Sequence, residues 1–130
     1  MSAKLVAIVW AAVGLLFLSL PSFSHHGSNI VYDLNQTITI SGNVTDFQFV
    51  NPHTLIFFDV TADDGTVVGW LGGLPSSIGL GRNEGWNRDT IKPGDEISIT
   101  GAPARGDAPS VWVEQVIING EPMLRQKYTG

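Results

Sequence analysis

From residue 36 onward the chain is a succession of β-branched and aromatic runs closed by turn-forming residues every 8 to 15 positions, with almost no helical periodicity. That spacing restricts the fold to a small antiparallel barrel or sandwich. The first run, Gln36 to Phe49, places Ile38, Ile40 and Val44 on one face and Thr37, Thr39, Ser41, Asn43 and Thr45 on the other, and then its apolar phase switches to Phe47 and Phe49. Side chains alternate with a period of two, so a phase switch within one strand predicts a bulge or sharp coil near Val44–Phe47. Asn51-Pro52 ends the run, and a second strand is expected from His53 to Thr61 with its even positions buried. Asp63-Asp64-Gly65-Thr66 reads as a hairpin turn into a third strand, Val67 to Gly72.

The stretch from Leu74 to Trp86 differs in character. Its glycines oppose a long helix, but Ser76 or Ser77 can cap a turn or two, so a short helix is expected in this connection. The turn Lys92-Pro93-Gly94-Asp95 precedes a fourth strand, Glu96 to Gly101, and the loop Ala102 to Ser110 leads to a fifth, Val111 to Asn119. Five strands with a short helix between the third and fourth is the order of an OB-type barrel. The competing immunoglobulin-like sandwich would need about seven strands. Only five are found here, or six with Met123-Leu124.

Ahead of this region lies a different kind of sequence. Lys4 is followed by an apolar run from Leu5 to Leu20, a break at Pro21, and small residues at Ser22 and Ser24, the layout of a secretory signal with cleavage after Ser24. The run is 16 residues long, short of the roughly 20 that a membrane-spanning helix requires. The expected organisation is therefore a signal-peptide helix over 1–24, an N-terminal segment of the mature chain over 25–35, and one barrel domain over 36–125. Localisation would be periplasmic or secreted, with no permanent membrane anchor after cleavage. The chain contains no cysteine, which excludes a disulfide framework, thiolate metal sites and lipidation at a cleavage-site cysteine. Without Lys4 the mature chain carries 12 acidic and six basic side chains, a balance that argues against binding to a nucleic-acid backbone.

Several of these elements, taken together, resemble one family. His25-His26-Gly27-Ser28, Ile40-Ser41-Gly42-Asn43-Val44, Asn51-Pro52-His53, Trp70, Gly85-Trp86 and Ile91-Lys92-Pro93-Gly94-Asp95 are similar to features of the small exported bacterial proteins grouped as DUF6152, a domain of unknown function. The resemblance covers the mature chain and rests most on the His-His pair and on Asn-Pro-His. It implies an exported, barrel-like domain and no particular activity.

Cleavage after Ser24 would make His25 the mature N-terminus, where the free α-amine and the imidazole of one residue can chelate a single ion. The mature chain has three histidines, His25, His26 and His53, and apart from Met123 no other soft donor. Amine and imidazole nitrogens suit Cu(II), the strongest binder among the divalent ions for such sites. His25 with a third nitrogen from His53 or His26 would form a T-shaped brace, resembling those of N-terminal-histidine copper proteins of the bacterial periplasm. An α-amine has a reference pKa of about 8, so its deprotonation costs little at neutral pH. Zinc can use the same atoms, but a closed structural zinc site needs four ligands and usually cysteine. Taken one at a time, these histidines read as an exposed terminus and a residue that opens a strand after a turn.

Enzyme signatures are lacking. There is no Gly-x-Ser-x-Gly, no His-Glu-x-x-His and no phosphate-cradling glycine loop followed by lysine, and Asp63-Asp64 belongs to a turn. The expected role is a binding module, with a metal ion or small ligand as partner and copper as the candidate cofactor. The alternative is a metal-free ligand- or partner-binding module. Phe47, Phe49, Phe57, Phe58, Trp70, Trp86 and Trp112 exceed what one side of a small core needs, and adjacent Phe57-Phe58 must face opposite ways. Either an aromatic sheet face is open to a ligand, or the 74–90 connection covers it with Ile78, Leu80 and Trp86.

Overall fold

The computed structural model describes residues 30–125. The expected signal peptide, His25 and His26 lie outside the described residues. Six strands and one helix follow in order: β1 Ile38–Gln48, β2 Leu55–Thr61, β3 Val67–Gly73, α1 Ser77–Glu84, β4 Glu96–Pro103, β5 Ser110–Ile118 and β6 Glu121–Arg125. The sheet runs β3-β2-β1-β4-β5-β6, and a parallel pairing of β3 with β5 closes the first five strands into a barrel. This connectivity, with the helix between β3 and β4, is the OB-type barrel expected from the order of elements.

Closure depends on β1 serving two neighbours. Its first half, Ile38 to Asn43, pairs with β4, and its second half, Asn43 to Gln48, pairs with β2, with a register shift between Val44 and Asp46. The bulge falls where the apolar phase of the sequence switches. Backbone groups that the bulge would orphan are taken up by the Lys92–Asp95 turn: Val44 N–H donates to Asp95 O (2.9 Å) and Gly94 N–H donates to Val44 O (2.8 Å). Two glycines permit the sharp coiling. A Cβ on Gly42 would press into the Asp59 carbonyl, and one on Gly101, at the irregularity in β4, would press into the Trp112 carbonyl.

β2 begins at Leu55, two residues later than expected. Thr54 instead bridges to the segment before α1: its N–H donates to Pro75 O and its carbonyl accepts from Leu74 N–H, both at 3.0 Å. The even positions Ile56 and Phe58 are fully buried, as the alternation requires. β4 runs on through Gly101 to Pro103, past the expected end. The sixth strand pairs with the second half of β5, on the edge whose first half pairs with β3, and buries Leu124.

The core inside the barrel joins Val44, Ile56, Phe58, Ile97, Ile99, Val111, Val113 and Val116 to residues of the β3–β4 connection, Leu74, Leu80, Trp86 and Ile91. α1 is capped at its start by Ser76, whose Oγ accepts from Gly79 N–H (3.1 Å), and at its end by Gly85 in the left-handed region (φ 70°). The connection therefore does cover core with Leu80 and Trp86, and Trp86 Nε1 donates to Met123 O at 3.2 Å. Ile78 departs from the expectation: it is 56% exposed.

Candidate functional site

The loop between β1 and β2 carries His53, and its neighbours hold it to the start of α1. Val50 O accepts from Ser77 N–H (3.1 Å), and Asn51 Oδ1 accepts from Ser77 Oγ (2.9 Å) and Ile78 N–H (3.4 Å). A loop tied at this many points offers His53 from a fixed base. The His53 ring is itself oriented: Nδ1 lies 3.2 Å from Leu74 O. A carbonyl oxygen can only accept, so Nδ1 is the donor in this bond, and in the neutral ring Nε2 is then the nitrogen that holds the lone pair. Nε2 has no hydrogen-bond partner among the described residues.

The His53 ring meets Trp112 edge-on, with centroids 5.4 Å apart and planes at 88°. Trp112 in turn packs against Tyr32 at 5.9 Å and 49°. Trp112 is on β5 opposite Gly73 of β3. Glycine gives these rings their room: a Cβ would lie 3.1 Å from Trp112 Cε3 and 3.4 Å from Tyr32 Oη, so the rings would have to give by a few tenths of an ångström. Tyr32 reaches this position because residues 31–33 run antiparallel to the end of β4. Asp33 N–H donates to Pro103 O (2.9 Å), Arg105 N–H to Val31 O (2.8 Å), and Tyr32 bridges Ala104. The Tyr32 hydroxyl is 2.9 Å from Ser110 Oγ.

These side chains border a cleft of about 660 Å³ on the outer surface of β2, β3 and β5, with Ile30, Leu55 and Leu71 among its walls. The volume is within the range of about 300–1,000 Å³ usual for small-molecule sites. No Asp, Glu, Lys or Arg is among its described lining residues, although the protein as a whole is acidic. A second groove, across β1, β2 and β4, has polar and acidic side chains among its lining residues, Ser41, Asn43, Asp59, Glu96 and Ser98.

Of the three expected ligands, only His53 is among the described residues, and it is exposed beside the cleft. No group of three or more His, Asp or Glu side chains suited to a metal converges among the described residues. Met123 packs against the core and its carbonyl serves Trp86. Ile30, five residues after His25 in the chain, also lines the cleft. Sequence reasoning missed Tyr32 and the seating of Trp112 on Gly73. The one local cue was a Gly-Gly pair ending a strand, which does not reveal the partner that packs on it.

Fold and cleft together define a small OB-type barrel with an aromatic outer face between its β1–β2 loop and its β4–β5 loop. Within that class, the chain belongs to a family of unknown function, DUF6152, whose model matches residues 12–111. No curated protein matches the sequence. Among solved structures it is similar to the N-terminal domain of PriB protein from Thermoanaerobacter tencongensis, described as dimeric. The match has a TM-score of 0.46 and 17% identity, and spans 65% of this chain and 96% of that one.

Proposed function

We propose that this protein is exported, is cleaved after Ser24, and acts as a non-enzymatic binding domain for Cu(II). The α-amine and imidazole of His25 form the chelate, and His53 Nε2 supplies the third nitrogen, with His26 the other candidate for that place. The observation that carries this reading is the state of His53: its ring is exposed, its tautomer is set by the bond to Leu74 O, and Nε2 is left as the ligand atom. A hydrogen bond from the second ring nitrogen to a carbonyl is the usual support of a metal-binding histidine. Chain length supports it as well. Ile30 borders the cleft beside His53, and five residues span at most about 17 Å, so His25 is within reach. In the precursor the His25 nitrogen is an amide, and the chelate can form only after cleavage.

The test combines intact mass of the exported protein with a Cu(II) titration. The mass with and without Cu(II) reads the cleavage site and the stoichiometry, and quenching of Trp112 fluorescence reports metal at His53, whose ring it touches. One tightly held Cu(II) is expected for the native terminus. A chain carrying an extra Met before His25, and the variant His53→Ala, should each bind far more weakly. Equal binding by all three refutes the reading.

A second reading is favoured by the cleft itself: a metal-free module that takes a ligand on the aromatic outer face of β2, β3 and β5. In OB-type barrels this face and its flanking loops are where ligands dock.

A further inference from the structure

β3 is paired along only part of the edge that faces away from β2. Its ladder with β2 runs from Val67 to Gly73, continued by Ala62 N–H to Thr66 O (2.8 Å) at one end and Leu74 N–H to Thr54 O (3.0 Å) at the other. Those two bonds set the phase. The even-numbered residues of β3 turn their backbone groups to β2 and the odd-numbered ones turn theirs away, because bonding direction alternates along a strand. Leu71 agrees: its N–H donates to Pro109 O (3.0 Å) and its carbonyl accepts from Ser110 Oγ (3.1 Å). Towards the β2–β3 turn this edge is bare, since the pairing with β5 covers only Leu71, Gly72 and Gly73. The N–H and C=O groups of Val67 and Gly69 thus point outwards with no backbone partner among the described residues. Open edges are commonly blunted by lysine, proline or a bulge. Val67-Val68-Gly69 has none of these, its register with β2 is regular, and Val67 and Val68 are 55% and 43% exposed.

We infer that this edge is the contact between two copies of the chain, paired antiparallel about a two-fold axis through Val68. The row of backbone groups is self-complementary in that arrangement. Val67 of each copy stands opposite Gly69 of the other, and each of these pairs exchanges two hydrogen bonds, which uses every outward N–H and carbonyl of the two residues. The two Val68 residues then face each other as the non-hydrogen-bonded pair, the closer kind, with Cα atoms about 4.5 Å apart. Val68 is opposite Val60 in the β2–β3 ladder, and Val60 packs on the core, so the Val68 pair extends an apolar surface already in place. Gly69 leaves space for Val67 of the second copy: the nearest atom to a Cβ there would be Asp59 Oδ1 at 3.8 Å. A second copy is favoured over an unrelated extended segment because it matches these groups one for one and brings its own exposed Val68 to the axis. Three residues a side do not bury the roughly 1,200 Å² of a stable interface. The dimer is therefore weak, half formed at about 1 mM. It uses neither His53 nor the cleft, and it is independent of both readings above.

The experiment is sedimentation equilibrium and amide NMR of the EDTA-treated mature chain between about 10 μM and about 1 mM. The average mass should rise with concentration from one copy towards two, and the amide resonances of Val67 and Gly69 should move most. Gly69→Pro removes an N–H that the ladder with β2 does not use, at an edge position where strands tolerate proline. It should weaken association about tenfold or more, with circular dichroism that stays native. Val68→Lys sets two like charges together at the axis, an unfavourable cross-strand pair. It should abolish the dimer, and it keeps the test open if proline disturbs the fold. A chain that stays monomeric at about 1 mM overturns the inference. So does a dimer that survives either substitution in a folded variant, or one whose shifting amides are elsewhere, since each places the contact on another surface.

Discussion

Replacement of Gly42 by alanine tests whether close strand approach, rather than backbone freedom, explains the glycines of the barrel. Gly42 does not adopt a positive φ, unlike Gly65, Gly85, Gly94, Gly106 and Gly120. Its requirement is space: an added Cβ would press on the Asp59 carbonyl oxygen and lie 2.9 Å from the carbonyl carbon. Restoring a normal carbon–carbon contact of about 3.5–4.0 Å means moving β1 and β2 apart by about 0.6–1 Å. Overpacking of that kind costs roughly 1–3 kcal/mol, and each ladder hydrogen bond weakened beside it adds up to about 1 kcal/mol. The expected loss is about 3 kcal/mol, against a total of roughly 5–15 kcal/mol for a domain of about 100 residues. Urea unfolding of the mature chain, followed by tryptophan fluorescence, measures it directly, and Tm should fall by roughly 12–24 °C. Gly69 is the control. It is also in a strand interior, but the nearest atom to an added Cβ there is Asp59 Oδ1 at 3.8 Å, so Gly69→Ala should be neutral or stabilising by up to about 1 kcal/mol. Two variants within about 1 kcal/mol of each other would refute the close-approach argument.

Three further outcomes follow from the same contacts. Ser76→Ala removes the side-chain acceptor for Gly79 N–H at the start of α1 and should cost about 1 kcal/mol in urea unfolding; no change would mean that the cap is redundant with the tertiary contacts of Leu80. Tyr32→Phe removes the hydroxyl beside Ser110 Oγ while leaving Ser110 its bond to Leu71 O, for an expected loss of about 1 kcal/mol and a small change in the near-ultraviolet circular dichroism of Trp112. The Asp64 carboxylate accepts first from the Thr66 backbone N–H and then from the Thr66 hydroxyl, which together hold its pKa below the ordinary value. A depressed folded pKa contributes stability above the unfolded value of about 3.9, and that contribution is lost as pH falls through the folded pKa. NMR titration should find the Asp64 midpoint below that of a free aspartate, and Thr66→Val, which keeps the backbone bond, should raise it only part of the way. A midpoint at the free value in the native protein would contradict the turn geometry.

The fold was legible because its decisive signals are local. A phase switch between Val44 and Phe47 records a bulge, Asp63-Asp64-Gly65-Thr66 records a hairpin, and Ser76 with Gly85 records both ends of a short helix. Each follows from alternation, positive φ or capping within a few residues. Element ends were less legible because long-range bonds set them. The start of β2 yields to Thr54 bridging towards Leu74 and Pro75, and β4 extends past Gly101 because a glycine there lets β5 cross closely. Ile78 was misplaced for a related reason: a connection that buries Leu80 and Trp86 presents one side to the core, and Ile78 is on the other.

The site divides along the same line. His53 could be singled out from its type and its Asn-Pro context, but its chemistry comes from residues far away in sequence. Leu74 sets the tautomer, Trp112 supports the ring, and Gly73 makes room for Trp112. No periodicity links a loop after β1 to the first residues of β5. Barrel closure does, since the parallel pairing of β3 with β5 is what sets Gly73 opposite Trp112. The segment before β1 is bound to the same place by a separate set of bonds, from Asp33 to the end of β4 at Pro103 and from Val31 to Arg105 of the β4–β5 loop. Backbone pairing of residues 31–33 therefore holds Ile30 at the cleft, independently of any ligand. In the roles proposed above, metal chelation by His25 and ligand binding beside Trp112 would both depend on this pairing, and loosening it at residues 31–33 should weaken both.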